Sequence, residues 1–354
     1  MTEDVQYLQK IAYPLLLWYD QKARSLPWRE NPTPYRVWIS EIMLQQTRVE
    51  AVRPYFDRFI AALPDAAALA QVEDDTLLKL WEGLGYYSRA RNLKKAAETV
   101  MTVHNGELPR EREQLLALPG IGPYTAGAIA SIAYGEAVAA VDGNVLRVVS
   151  RYLGRREDIA KEKTKKDMAK ALAAVIPSAR AGDFNQALME LGALLCLSKN
   201  ARCKDCPLLT LCRAYREGVV AEIPVKTAKK PRRREDHTVF LFFHQGRVAV
   251  RNRCKPGLLA GMWELPNLLG HLDMVEVFSA FPGLTFTDLL PLPEAKHVFT
   301  HLEWQMIGYA IWLEEPNPDW IWITEEEMDG GYPLPTAFKF YRRLIPSLLE
   351  NTGK

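Results

Sequence analysis

Residues 226–234 read Lys-Thr-Ala-Lys-Lys-Pro-Arg-Arg-Arg, six basic positions in nine without leucine, isoleucine, valine or an aromatic. Such a run has nothing to bury, so it divides the chain. Before it, residues 3 to about 218 carry helical spacing punctuated by turns, as where Asp74–Trp81 closes at Gly83 and Gly85. After it the texture changes. Thr238–Phe243 and Arg247–Arg251 flank Gln245-Gly246 and predict a β-hairpin, and residues 297–313 predict a second long strand. The expected architecture is a mainly α domain over residues 1–225, a basic linker over 226–236, and a mixed α and β domain over 237–354.

A chain of 354 residues accommodates two domains, and 48% apolar content supplies their cores. A net charge of only +2 does not announce a nucleic-acid partner, so local clustering must carry that argument. The first residues, Met1-Thr2-Glu3-Asp4-Val5, form no basic region ahead of an apolar one. No apolar run approaches the ~20 residues of a membrane helix. The expectation is a soluble cytoplasmic protein without a membrane partner, monomeric by default.

Four of five cysteines, Cys196, Cys203, Cys206 and Cys212, share one loop with the spacing C-x6-C-x2-C-x5-C. That excludes a secreted disulfide framework and points to metal ligation. Four thiolates suit zinc or an iron–sulfur cluster, and the spacing alone leaves both open. Lys199, Arg202, Lys204, Arg213 and Arg216 surround them and suit phosphate contact, or are simply solvated charges. Cys254 stands apart and is expected to be buried.

Leu118-Pro119-Gly120-Ile121-Gly122-Pro123-Tyr124-Thr125-Ala126 lies between two helical patterns. Gly120 and Gly122 permit a tight turn whose N–H groups can approach an anion, and Pro123 suits the first position of the next helix. An isolated G-x-G would be a plain helix–helix turn.

Two carboxylates stand out. Thr33 can cap a helix beginning at Pro34, with Trp38 and Ile42 on its apolar stripe and Glu41 on the shoulder. Thr47-Arg48-Val49-Glu50 has the form of a capping box, so the helix must break near Gln45-Gln46. Asp142 follows the apolar run Val138–Val141 and precedes a helical segment, where it can cap the helix and stay ionised. Desolvation beside Trp38 and Ile42 would let Glu41 keep a proton. Taken singly, these are a cap and a solvated helix glutamate. Together, an acid that protonates a leaving base and an anion that stabilises an oxocarbenium-like sugar are what cleavage of an N-glycosidic bond needs.

The stretch Trp28-Arg29 through Trp38-Ile39-Ser40-Glu41-Ile42-Met43-Leu44-Gln45-Gln46-Thr47, with Val141-Asp142-Gly143-Asn144-Val145, strongly resembles the adenine DNA glycosylases of the MutY family. The glycine string is similar to the helix–hairpin–helix of DNA glycosylases, and the cysteine spacing to the [4Fe-4S] loop of the endonuclease III superfamily. The resemblance implies that Glu41 protonates adenine and Asp142 stabilises the cationic sugar, with Tyr124 and Asn144 assisting. It places Arg24, Trp28, Leu44 and Gln186 around the adenine, Gln46 and Tyr86 as wedges into the duplex, and Gly120 and Gly122 on the DNA backbone. The run Tyr86-Tyr87-Ser88-Arg89-Ala90-Arg91 likewise suits a wedge flanked by phosphate ligands. Bifunctional relatives carry a Schiff-base lysine where this chain has Tyr124, and a phenol forms no imine. A monofunctional enzyme is therefore expected.

Gly257–Pro266 resembles the Nudix-like domain appended to such glycosylases, without the Arg-Glu-x-x-Glu-Glu helix of true Nudix hydrolases. Phe299-Thr300-His301 stands where the family carries a Phe-Ser-His motif that recognises 8-oxoguanine, threonine replacing serine. The implied substrate is double-stranded DNA with adenine opposite 8-oxoguanine or, less efficiently, guanine. The implied repair step flips adenine out of the helix. An endonuclease III-like glycosylase/lyase is the enzymatic alternative, and a DNA-binding module with a purely structural cluster is the other. Tyr124 speaks against the first, and the pairing of Glu41 with Asp142 against the second.

Overall fold

The computed structural model describes residues 3–228, 231–254 and 257–350, so Lys229 and Lys230 of the basic run lie outside it. The chain forms two compact units. The first joins the residues up to Val72 to Arg91–Ala228, and the second joins Glu73–Ala90 to the residues beyond Ala228. Among the described residues, no helix is long and apolar enough to cross a membrane.

Among the described residues, every regular element of the first unit is helical. The Ala181–Leu194 helix packs against Ala12–Lys22, Pro123–Tyr134 and Gly143–Leu153. Phe184, Ala187, Leu188 and Leu191 recur at helical spacing and are buried, so one apolar stripe meets several neighbours. The core they enter also holds Leu15, Val149, Tyr152 and Leu172. Gly192 sets the closest approach: a Cβ there would stand 2.5 Å from Asn144 Cβ, so only glycine lets this helix close on the start of Gly143–Leu153. The chain beyond Ile223 stays attached to this unit, for Val225 O accepts from Ile159 N at 3.1 Å and Thr227 bonds Asp158.

The second unit is built on a seven-stranded mixed sheet. Its strands are β1 Arg233–His244, β2 Arg247–Asn252, β3 Trp263–Glu264, β4 Asn267–Leu269, β5 Phe286–Val298, β6 Leu302–Leu313 and β7 Ile321–Ile323. The main path runs β3-β2-β1-β6-β5, with β4 on β1 and β7 on β2. Among the described residues, only β1 and β6 pair in parallel. The predicted hairpin forms, Gln245 and Gly246 both taking positive φ. β1 starts inside the stretch assigned to the linker, because Arg233–Asp236 find ladder partners in Leu302–Gln305. The strand predicted over 297–313 is interrupted at Phe299-Thr300-His301, which turns antiparallel β5 into β6. Prolines and scattered charges hid β5 from a pattern reading.

Both faces of β1 are buried, which explains its unbroken apolar run. Val239, Leu241 and Phe243 meet Met328, Phe338 and Tyr341 on one face, while Phe240 and Phe242 meet Val277 and Phe281 on the other. Residues 73–90 join this unit through polar contacts. Lys79 Nζ donates to Met328 O at 3.1 Å, and Glu82 Oε1 accepts from Leu334 N at 3.1 Å and Arg342 Nη1 at 2.7 Å.

Gly308 on β6 lets the Tyr341 ring lie on the strand, since a Cβ there would come within 2.4 Å of Tyr341 Cε1. Gly308→Ala is expected to destabilise the chain by about 1–3 kcal/mol through overpacking. A urea unfolding midpoint unchanged by the substitution would contradict this packing.

Candidate active site

The Pro34–Leu44 helix begins as predicted, with Thr33 Oγ1 accepting from Arg36 N at 3.3 Å and Pro34 in its first turn. It ends at Leu44, and Gln46 takes φ +58°. The two amides of this break part ways. Gln45 Nε2 donates to Thr125 Oγ1 at 3.3 Å, whereas Gln46 is exposed. The capping box at Thr47–Glu50 does not form: Arg48 occupies the cap without a side-chain bond. Thr47 Oγ1 instead donates to Gln45 O at 3.4 Å, and Glu50 pairs with Arg24 at 3.4 Å.

Glu41 lies deeper than its expected shoulder position, at 5% exposure on a helix whose Trp38, Ile42 and Met43 are also buried. The Tyr124 hydroxyl, from the first turn of Pro123–Tyr134, donates to Glu41 Oε2. Burial pushes the Glu41 carboxyl from 4.5 up to about 7, against the lowering effect of the Tyr124 bond and with help from the negative charge of Asp142. Tyr124 is driven well above its ordinary value by burial and by both carboxylates, so it stays a donor at neutral pH. Glu41, Tyr124 and Asp142 therefore lie in one electrostatic environment. Met189 Sδ, 3.5 Å from the Tyr124 hydroxyl, completes the wall.

Asp142 caps Gly143–Leu153, its Oδ1 accepting from Val145 N at 2.7 Å. Its Oδ2 accepts from Asn144 Nδ2 at 2.8 Å. These bonds favour the anion, but burial outweighs them and the pKa moves up rather than down. Asn144 Oδ1 in turn accepts from Arg147 Nη2 at 2.8 Å, and Arg147 reaches Gly192 O and Cys196 O.

Sequence reasoning missed the polar frame behind these groups. Glu190, 1% exposed, accepts from Arg24 Nε at 2.7 Å and Arg29 Nη2 at 2.9 Å. Burial alone would raise its pKa, but the two guanidiniums hold it below the usual range. Arg29 Nε also donates to Gln186 Oε1 at 3.0 Å, so Arg24, Arg29, Gln186 and Glu190 form one network. Asn185 holds the Asp142 segment from behind, bonding Ala140 N, Val138 O and Ser131 Oγ. An acidic residue inside the apolar stretch Ala187–Leu194 was the available signal for Glu190. Trp28 is buried edge-on to Phe56 at 5.3 Å between ring centroids, and Leu44 is half-buried.

The glycine turn forms as expected, Gly120 at φ +78° and Gly122 capping Pro123–Tyr134. A Cβ at Gly120 would meet Asn92 Cβ at 2.7 Å. In the cysteine loop, Arg151 donates to Leu197 O at 2.6 Å and lies 3.3 Å from Cys196 Sγ. Burial pushes Cys206 up to about 12 and raises Cys203 and Cys212, each with added effect from neighbouring cysteines. Among the described residues, no three His, Cys, Asp or Glu side chains stand in a metal-holding arrangement. The four thiols thus share an electrostatic field without closing into a cage. Lys199, Arg202 and Lys204 line an open cleft beside them, whereas Arg213 pairs with Glu3 and stacks on Tyr7. Cys254 is exposed, not buried, because it follows the end of β2 rather than facing either core.

Within the second unit, the Tyr86 and Thr300 hydroxyls lie 3.0 Å apart, and the Phe299 ring packs edge-on to Trp304 and His297. Arg89 does not project as a phosphate ligand; it is turned inward at 8% exposure.

Since its folded pKa exceeds 4.5, Glu41 binds its proton more tightly in the folded chain. That stability is fully present below about pH 4.5 and is lost as pH rises through about 7. Glu41→Gln keeps an acceptor for Tyr124 but cannot ionise. It is expected to be the more stable protein above pH 7, by on the order of 3 kcal/mol, and to lose that advantage towards pH 4.5. Urea midpoints measured across this range check it, and a difference independent of pH would contradict it.

Comparison with known proteins shows the family. Residues 39–174 match the HhH-GPD superfamily of base excision DNA repair proteins, and residues 238–342 match the NUDIX domain. The adenine DNA glycosylase of Homo sapiens is 33% identical, the alignment covering 96% of this chain and 74% of that protein. A solved thermostable thymine-DNA glycosylase aligns with TM-score 0.55 and 27% identity, over 61% of this chain and 98% of its own. A trapped endonuclease III–DNA covalent intermediate aligns with TM-score 0.53 and 26% identity, over 62% and 99% respectively. With a helical glycosylase domain, a Nudix-like domain and this likeness over nearly its whole length, the chain belongs to the adenine DNA glycosylases, N-glycosyl hydrolases of base-excision repair.

Proposed function

We propose that this glycosylase removes adenine paired with 8-oxoguanine, and less efficiently with guanine, after extruding the adenine from the duplex. The observation that carries the reading is the buried Glu41 acid held by Tyr124 in the field of Asp142. Tyr124 occupies Oε2, which leaves Oε1 to carry the proton to the adenine ring. As the glycosidic C–N bond breaks, its electron pair goes to the protonated base and the sugar becomes cationic. Asp142, oriented by Val145 N and Asn144, stabilises that cation until water adds. Arg24, Trp28, Leu44 and Gln186 line the adenine site in this reading, and Glu190 fixes its two arginines.

Gly120 and Gly122 offer backbone N–H groups to a phosphate, with Lys199, Arg202 and Lys204 as further cationic contacts. Gln46 and Tyr86 are the groups that fill the space left in the duplex, and Phe299, Thr300 and His301 read the opposite base. The hairpin position of this triplet suits that role, because a turn presents its side chains where a strand would bury half of them. Cys196, Cys203, Cys206 and Cys212 are the ligands for a [4Fe-4S] cluster. The all-thiol donor set within one loop is what supports this reading. When bound, the cluster supplies four iron–thiolate bonds that staple the loop. Tyr124 in place of a lysine makes the enzyme monofunctional.

Single-turnover release of adenine from duplexes with 8-oxoguanine or guanine opposite tests the reading. Glu41→Gln and Asp142→Asn are each expected to slow release by about 100-fold or more while duplex binding persists. Because Glu41 must be protonated, the rate is expected to fall as pH rises beyond about 7. Borohydride is expected to trap no covalent protein–DNA adduct. Full activity in Glu41→Gln would contradict the assignment, and an efficient borohydride adduct would favour the lyase reading.

A further inference from the structure

Tyr86 sits in a conformation that its own chemistry does not favour. Its φ is +50°, a region costing a non-glycine residue roughly 1 kcal/mol or more. It is 44% exposed, while the next residue, Tyr87, is buried. Something must hold this turn, and the surrounding contacts converge on Arg89.

Arg89 Nη2 donates to Leu84 O at 3.2 Å and to Gly85 O at 3.0 Å, gripping the two carbonyls just before Tyr86. Its backbone N–H donates to Tyr86 O at 2.9 Å. The guanidinium lies over two rings, 5.2 Å from the Trp81 centroid and 5.5 Å from the Tyr86 centroid. Trp81 Nε1 bonds the same Gly85 carbonyl at 3.1 Å, closing the turn from the other side. Taking a guanidinium out of water is costly unless it is paired, and here carbonyls and ring faces compensate. A cation that only needed a phosphate would have stayed in solvent.

We propose that Arg89 is the positioning residue for Tyr86, setting the left-handed turn and the ring orientation from which Tyr86 enters the duplex beside the base that Thr300 reads. This rests on the reading of Tyr86 as the wedge. Arginine suits this place because Nη2 donates to both carbonyls while the delocalised guanidinium also lies over two rings, which a compact ammonium does not do.

The test compares Arg89→Met, Arg89→Lys, Tyr86→Ala and the double variant Arg89→Met/Tyr86→Ala. The readout is the ratio of single-turnover adenine release opposite 8-oxoguanine to that opposite guanine, with a melting curve for each protein. Tyr86→Ala is expected to lower the ratio by about tenfold, Arg89→Met by a similar factor, and the double variant by no more than Tyr86→Ala. Arg89→Lys is expected to lower it as well. If Tyr86→Ala leaves the ratio unchanged, the wedge reading falls and the positioning role with it. If Tyr86→Ala lowers the ratio but the Arg89 variants do not, or if the single losses multiply in the double variant, the positioning role alone is wrong. A lowered melting point with an intact ratio would likewise mark Arg89 as a structural cation only. Should Arg89→Met fail to fold, Arg89→Lys decides by the same comparison.

Discussion

A carboxyl group buried to 5% exposure has little water to stabilise its charge, and the proposed chemistry depends on that single circumstance. In the proposed mechanism Glu41 acts as an acid, and burial lets it keep a proton towards neutral pH. The helix that carries it supplies the apolar wall, and the first turn of the Pro123–Tyr134 helix supplies the one hydroxyl that orients it. A tyrosine suits that place because its own burial keeps it a donor while its neighbour changes protonation state.

The opposing carboxylate obeys a different balance. Asp142 is also desolvated, but a helix N-terminus and an amide bond its two oxygens separately. Two carboxyls in one site thus receive unlike support, hydrogen-bond donors in number for one and apolar walls for the other. Holding such a pair together is costly, and buried residues around it brace the elements that carry it. Asn185 stitches the segment before Asp142 to the Pro123–Tyr134 helix, and Gly192 lets the Ala181–Leu194 helix reach Asn144. Glu190 neutralises two arginines that would otherwise confront each other beside the site.

Much of this was legible in the residues themselves. Thr33, Pro34, Asp142, Gly122 and Pro123 are local signals, and helix ends follow local rules, so their roles as caps and first turns came through unchanged. The Gln245-Gly246 hairpin did so for the same reason. What escaped was set by distant partners. Thr47 and Glu50 look like a capping box until Arg24 draws the glutamate away. Arg233–Asp236 look like linker until β6 offers them a ladder, and the inward turn of Arg89 depends on rings and carbonyls that no spacing rule connects to it. The depth of Glu41 belongs to the same class, since helical periodicity placed it only at the edge of the buried stripe.

The protonation state of Glu41 is the quantity on which the account stands. Infrared difference spectroscopy, comparing the unaltered chain with Glu41→Gln as pH is varied, isolates the carbonyl stretch of that one carboxylic acid. This signal is expected to persist through mild acidity and to disappear with a midpoint near pH 7. A midpoint near the ordinary 4.5 would show a charged carboxylate at neutral pH and contradict it.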